Sequence, residues 1–242
     1  AKDIPALDNE WPTEGPPVLW SVELGEGHAA PVVQEGRVYV LDYDEEAHAD
    51  AVRCFSLADG REIWRHSYKV TVKRNHGMSR TIPALANGRI VTIGPRCHVV
   101  CLDAQNGAFQ WGMDLQQEYG TTEPLWYTGQ CPLIDGDTVV LAPCGPEVLM
   151  MGVDLASGAV LWETPNPDGL NMSHASILPM TLAGVRMYVY SAIGAVVGVA
   201  AEGDALGQLL WQSPWKARVI APSPLKIAGD RLLAIAGYGE GH

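Results

Sequence analysis

The stretch RCHVVCLDAQNGAFQW, Arg96–Trp111, packs two cysteines, a histidine and an aspartate into its first eight residues. On a helix Cys97 and Cys101 would share a face and make a metal or redox site. On a strand they would be small core residues. The register of the rest of the chain decides between the two. Trp111 is one of five tryptophans, with Trp20, Trp64, Trp162 and Trp211, that recur every 44–51 residues. Four of them follow a glycine by four positions: Gly60, Gly107, Gly158 and Gly207. The shared segments read SLADGREIW, LDAQNGAFQW, VDLASGAVLW and AAEGDALGQLLW. Upstream of each lies a second shared segment: PVVQEGRVYVL, PALANGRIVTI, PLIDGDTVVLA and PMTLAGVRMYVY, with PLKIAGDRLLAI as a fifth copy.

A fixed period of this length marks a repeat architecture. Each unit reads as four short antiparallel strands. The proline starts the first, a glycine turn joins it to the second, an acidic–glycine turn follows the third, and the fourth carries the tryptophan. No apolar stripe of helical period runs for long, so helical solenoids compete poorly. The expected class is all-β, a β-propeller of four-stranded blades. Four blades are complete and a fifth is split or truncated. The lead-in is 1–16 and one domain spans 17–242, with repeats at about 17–24, 29–68, 80–115, 130–164, 175–213 and 222–242. The Trp20 strand, Val18–Leu24, either precedes a fragment of a larger ring or closes a five-bladed one by completing the last blade.

In this register residues 97–102 form a third strand. Alternation places Cys97 and Cys101 on one face and His98 on the other. The two cysteines then stand roughly 13 Å apart, too far for a disulfide or a shared zinc. The turn glycines are expected at positive φ, and the tryptophans are expected to bridge neighbouring blades.

The pattern D-x-x-x-G-x-x-x-W, at Asp103–Gly107–Trp111 and Asp154–Gly158–Trp162, resembles the tryptophan-docking repeat of the pyrroloquinoline-quinone (PQQ)-like β-propellers. Ser56 and Gly203 replace the aspartate in the other two copies. The resemblance covers the chain from about Pro17 and implies a family that normally closes with seven or eight blades. It includes quinoprotein alcohol dehydrogenases, a non-catalytic outer-membrane assembly scaffold and other extracytoplasmic proteins. An extracytoplasmic location, periplasmic or secreted, is implied. The dehydrogenase branch holds PQQ between a tryptophan and a vicinal disulfide, with calcium and an aspartate base. The five cysteines here include no adjacent pair, and no D-x-D-x-D-G calcium motif occurs. No cofactor and no metal are therefore expected.

The net charge of −12, without a Lys/Arg run, argues against nucleic-acid binding. The longest apolar run, Ala192–Ala201, is about half of what a membrane helix needs, and the polar opening AKDIPALDNE carries no signal peptide. The segments leading into each first strand should line one mouth of the central channel, a usual place for ligands. They are GHAAP, SRTIP, GQCP, SHASI and RVIAP. They offer His28, Arg80, Gln130, His174 and Arg218 as candidate ligand-binding residues for an anion, a carbohydrate or a metal. The long connections carry His76, Trp126 and Tyr127, and Trp215 stands between repeats. These four are candidate partner-surface residues. The expected function is a non-catalytic binding or scaffold module for a protein or carbohydrate partner. The alternative is a quinoprotein-like or metal-assisted enzyme working at the channel mouth.

Overall fold

The computed structural model describes residues 12–74 and 78–239. Four consecutive sheets have four strands each, antiparallel and in chain order. Blade 1 is β1 (Val32–Gln34), β2 (Arg37–Asp44), β3 (Ala49–Ser56) and β4 (Glu62–Lys69). Blade 2 is β5 (Ala84–Ala86), β6 (Arg89–Ile93), β7 (His98–Asp103) and β8 (Phe109–Asp114). Blade 3 is β9 (Leu133–Asp135), β10 (Thr138–Leu141), β11 (Val148–Asp154) and β12 (Val160–Pro165). Blade 4 is β13 (Leu178–Leu182), β14 (Val185–Ala192), β15 (Gly194–Ala200) and β16 (Leu209–Trp215). Among the described residues a fifth sheet holds only β17 (Leu225–Ile227) and β18 (Arg231–Leu233). The fold is the all-β propeller architecture that the repeat predicts.

The first hairpins turn on two residues in blades 1, 2 and 4, with Gln34 opposite Arg37, Ala86 opposite Arg89 and Leu182 opposite Val185. Both turn residues of each pair, Glu35–Gly36, Asn87–Gly88 and Ala183–Gly184, have positive φ, the geometry that matches the twist of flanking strands.

The tryptophan period has a physical cause. Gly60, Gly107, Gly158 and Gly207 lie at φ +71°, +73°, +73° and +78°. A Cβ on each would stand 2.6–2.9 Å from the indole of the preceding repeat, respectively Trp20, Trp64, Trp111 and Trp162. Three indoles also donate Nε1–H across the seam: Trp20 to Leu57 O (2.8 Å), Trp64 to Ala104 O (3.2 Å) and Trp111 to Leu155 O (2.9 Å). Asp103 and Asp154 shape the turns: Asp103 Oδ1 accepts from the N–H of Gln105 and Asn106, and Asp154 Oδ1 from Ser157 N–H. In blade 4 a short 3₁₀ turn (Gly203–Ala205) lengthens this corner, and the buried Trp162 Nε1 has no acceptor.

The cysteines fall into this pattern. Within each blade the tryptophan faces a small residue on the third strand: Cys54 opposite Trp64, Cys101 opposite Trp111, Gly152 opposite Trp162 and Gly198 opposite Trp211. A register shift follows each pair at once, and in blades 3 and 4 the indole lies directly over the facing glycine. Cys101 is thus a small core residue, and all five thiols are free.

Three expectations are corrected. Val18–Leu24 forms no strand; Trp20 keeps its seat on Gly60 by side-chain contact alone, without a neighbouring strand to pair with. That segment therefore does not complete the last sheet, where β17 pairs with β18 only. Cys97 precedes β7 at φ +63°, so strand alternation does not reach it. It is nonetheless buried in the same cluster as Cys101. One short helix, α1 (Leu115–Tyr119), follows blade 2. Asp114 caps it through Gln116 and Gln117 N–H, Glu118 returns a bond to Asp114 N–H, and Gly120 ends it at φ +67°. Among the described residues no helix is long and apolar enough to cross a membrane.

Candidate functional site

The segments leading into the first strands are joined one to the next by hydrogen bonds. His28 N–H donates to Ser79 O (2.6 Å), within a parallel bridge between Gly27 and Ser79. Ile82 N–H donates to Cys131 Sγ (3.2 Å), Cys131 N–H to Ser176 Oγ (3.0 Å), and Ser176 N–H to Ser223 Oγ (2.9 Å). His174 N–H also reaches Ile220 O (3.0 Å). Hydrogen bonds thus link the five segments into one rim.

Four of the predicted ligand residues, His28, Arg80, His174 and Arg218, stay at least partly exposed on these segments. Arg80 is half-buried and electrostatically coupled to His174 and Tyr127. Burial and the Arg80 charge together hold the His174 imidazole below its ordinary value, so the ring is neutral at pH 7. His28 is exposed and tied to this neighbourhood through its backbone. Arg218 is exposed on the segment before Ile220. Gln130 is corrected: it is fully buried, and its side chain brackets Ala142 N and O and donates to Tyr190 OH. That amide ties the lead-in to the end of β10 and to Tyr190 on β14, so it serves the fold and offers nothing to a ligand.

An aromatic group crowns the rim. Trp126 stacks on His174 (centroids 6.4 Å, 13° between planes) and tilts against Tyr238 (5.6 Å). Tyr127 OH accepts from Lys73 N–H and donates to Lys73 O, both at 2.7 Å, binding two long connections to each other. Trp126 and Tyr127 lie consecutively at φ +69° and +74°. Side chains with a Cβ avoid that region at a cost of about 1–3 kcal/mol each. Leu125 and Tyr238 beside them are 61% and 77% exposed. Trp215 is half-buried, packed against two core clusters beside blade 4. His76 lies outside the described residues.

Tyr238 joins this site only through the packing of the last turn, which brings it to Trp126, and no repeat signal marks it. Asp50 is also not singled out by the repeat, although in ADAVRCF it alternates in register with the core residues Val52 and Cys54, while Arg53 takes the other face.

The PQQ-binding arrangement implied by the resemblance does not fit these residues. The cysteines are free and separate in sequence, and the rim offers arginine and imidazole where calcium takes an oxygen shell. Among the described residues no three His, Cys, Asp or Glu side chains gather at metal-binding spacing.

Comparison with solved structures places the fold. BamB from Moraxella catarrhalis is similar over 90% of this chain and 70% of its own, with 15% identity and a TM-score of 0.55. The quinohemoprotein alcohol dehydrogenase of Comamonas testosteroni aligns over 87% of this chain but 38% of its own, with 14% identity and a TM-score of 0.54. A computationally designed protein, Ika8, aligns over 87% and 55%, with 10% identity and a TM-score of 0.52. No sequence match to a curated protein is found. Residues 48–241 match the family described as outer membrane protein assembly factor BamB, and the chain belongs to that family of PQQ-like β-propellers.

Proposed function

We propose that this chain is a non-catalytic binding module that engages a protein partner through the rim carrying Arg80, Trp126, Tyr127 and Tyr238, outside the cytoplasm, in the assembly of outer-membrane proteins. One observation carries the reading. Two consecutive aromatic residues, Trp126 and Tyr127, are held in left-handed backbone conformations at the exposed end of the rim. Such strain persists where the surroundings impose it, and it concentrates at binding sites. Family membership and the likeness to BamB favour a protein partner.

A photo-crosslinker at Leu125, in cells, should capture a specific partner of the outer-membrane assembly apparatus. The pair Leu125→Asp with Tyr238→Ala should weaken that capture at least tenfold while leaving the melting temperature unchanged. Crosslinks arising instead from the outer strands, for example at Phe109 or Leu161, would overturn the assignment of the face. The likeness to a quinohemoprotein dehydrogenase makes one control essential. A clear rise in melting temperature on adding PQQ with calcium would replace this reading with the enzymatic one. Zinc binding lost in both His28→Ala and His174→Ala would favour the metal-assisted form of it.

A further inference from the structure

Asp50 is fully buried between blades 1 and 2 and plays no part in the rim contacts above. On β3 it shares a face with Val52 and Cys54, which pack into a cluster with Ile90, Val100 and Leu102 of blade 2. Tyr68 on β4 donates its hydroxyl to Asp50 Oδ2 at 2.6 Å. From blade 2, Gly94 comes so close that a Cβ there would lie 2.6 Å from the same oxygen. The seam needs glycine at this point to admit the carboxyl.

The rest of the seam is under-satisfied. Asp50 Oδ1, Ser79 Oγ, Thr92 Oγ1 and His98 Nδ1 are all buried without a hydrogen bond. Thr92 is two residues from Ile90 on β6 and shares its face; the His98 ring tilts against Tyr68 at 5.5 Å. An ionised carboxylate with one bare oxygen is costly here, whereas the neutral acid costs far less. Burial accordingly pushes the Asp50 carboxyl from 3.8 up to about 7, against the Tyr68 hydroxyl, the Ala51 N–H and the nearby Ser79 hydroxyl, which stands outside hydrogen-bond geometry; the Asp42 charge adds to the rise. The titratable groups on its own face are Tyr68 from β4 and Tyr43 from β2, each directly opposite it, and, beyond Tyr68, His98 from β7 with its partner Asp114 from β8; Asp42, ion-paired with Arg53 on the other face of the sheet, is felt only as a charge.

The seam leads directly to the rim. Ser79 bridges to Gly27 and accepts from His28 N–H, and Met78 N–H donates to Glu26 O (3.2 Å). We propose that Asp50 is a proton-operated latch between blades 1 and 2: as the neutral acid it lets the seam close and fixes the Met78–Arg80 stretch, and on ionising it loosens both. The inference is independent of any partner.

The direction of the effect follows from linkage. The folded chain keeps a proton that the unfolded chain, near 3.8, has already released. The stabilisation is complete below about pH 4, falls as pH rises towards 7 and then levels. Hydrogen exchange at the Met78 and His28 amides, corrected for intrinsic rate, reads the opening directly between pH 5.5 and 8. The opening constant should rise by up to about tenfold per pH unit until about pH 7. In Asp50→Asn, which cannot ionise, it should be flat. Infrared spectra of the wild-type protein should show a protonated carboxyl band at pH 5.5 that is gone at pH 8. Parallel exchange profiles in the two proteins would overturn the latch. So would the absence of that band at pH 5.5, which decides the matter even if Asp50→Asn does not fold.

Discussion

The Trp64 indole lies against Gly107 of the next blade so closely that a Cβ at 107 would stand 2.6 Å from its Cε3. Two penalties therefore meet at one atom: positive φ and steric overlap with a ring that is itself packed. Gly107→Ala should destabilise the fold by about 2–4 kcal/mol in denaturant titration. Gly136 separates the two. It lies at φ +61°, but a Cβ there meets nothing within 4 Å. Gly136→Ala should cost only the backbone term, about 1–2 kcal/mol. Equal costs would show that the indole yields freely and that blade contact is not what selects the glycine.

The seams between blades are not equivalent. Trp111 Nε1 donates to Leu155 O, whereas Trp162 Nε1 is buried without an acceptor because the corner of blade 4 is longer. Trp111→Phe loses a bond and strands a carbonyl; Trp162→Phe loses area alone. The first should be more destabilising by about 1 kcal/mol, measured as the difference in unfolding free energy at constant m-value.

The blades were legible because their constraint is local in sequence. A glycine four residues before a tryptophan encodes the turn that receives one indole and the strand that presents the next. What failed to read through depends on contacts distant in the chain. Val18–Leu24 keeps its tryptophan contact and packs on blade 1 but pairs with no strand, and no residue within the segment announces that. Gln130 lies one position from Cys131 of the rim, yet in an irregular lead-in no period says which side chain turns inward. Asp50 and Tyr238 acquire their roles only from partners on other elements, Tyr68 and Trp126. The D-L-Q-Q-E-Y-G run, by contrast, carried a readable helix cap that an all-strand expectation hid.

Gln130 offers a test of that correction. Its amide satisfies both backbone groups of Ala142 and reaches Tyr190 OH, which also accepts from Ser173 N–H. Gln130→Leu leaves the Ala142 N–H and C=O buried without that partner and should cost about 2–4 kcal/mol. A ligand residue would behave otherwise, leaving stability intact while binding falls.

Thiol reactivity should report the same interior. Cys54, Cys97, Cys101 and Cys144 are buried and Cys131 is half-buried. Burial pushes the Cys97 and Cys101 thiols up to about 12, so almost no thiolate forms at pH 8. A maleimide at pH 8 should modify Cys131 alone in the native protein and all five cysteines in denaturant, counted by intact mass. Rapid native labelling at Cys97 would mean that the seam beside Thr128 opens readily.

His174 ties the rim to pH. Its imidazole is held below 6.5 by burial first and by the Arg80 cation second. Between the folded and unfolded values the unfolded chain binds the extra proton, so stability from this group is present above about pH 6.5 and is lost as pH falls through the depressed value. Because the ring stacks on Trp126, its protonation should change indole fluorescence, and Trp126→Phe should abolish that change. Arg80→Gln removes the repelling charge and should move the midpoint upward towards 6.5. A midpoint that stays in place would mean that desolvation alone sets it, and that the arginine is not felt across the rim.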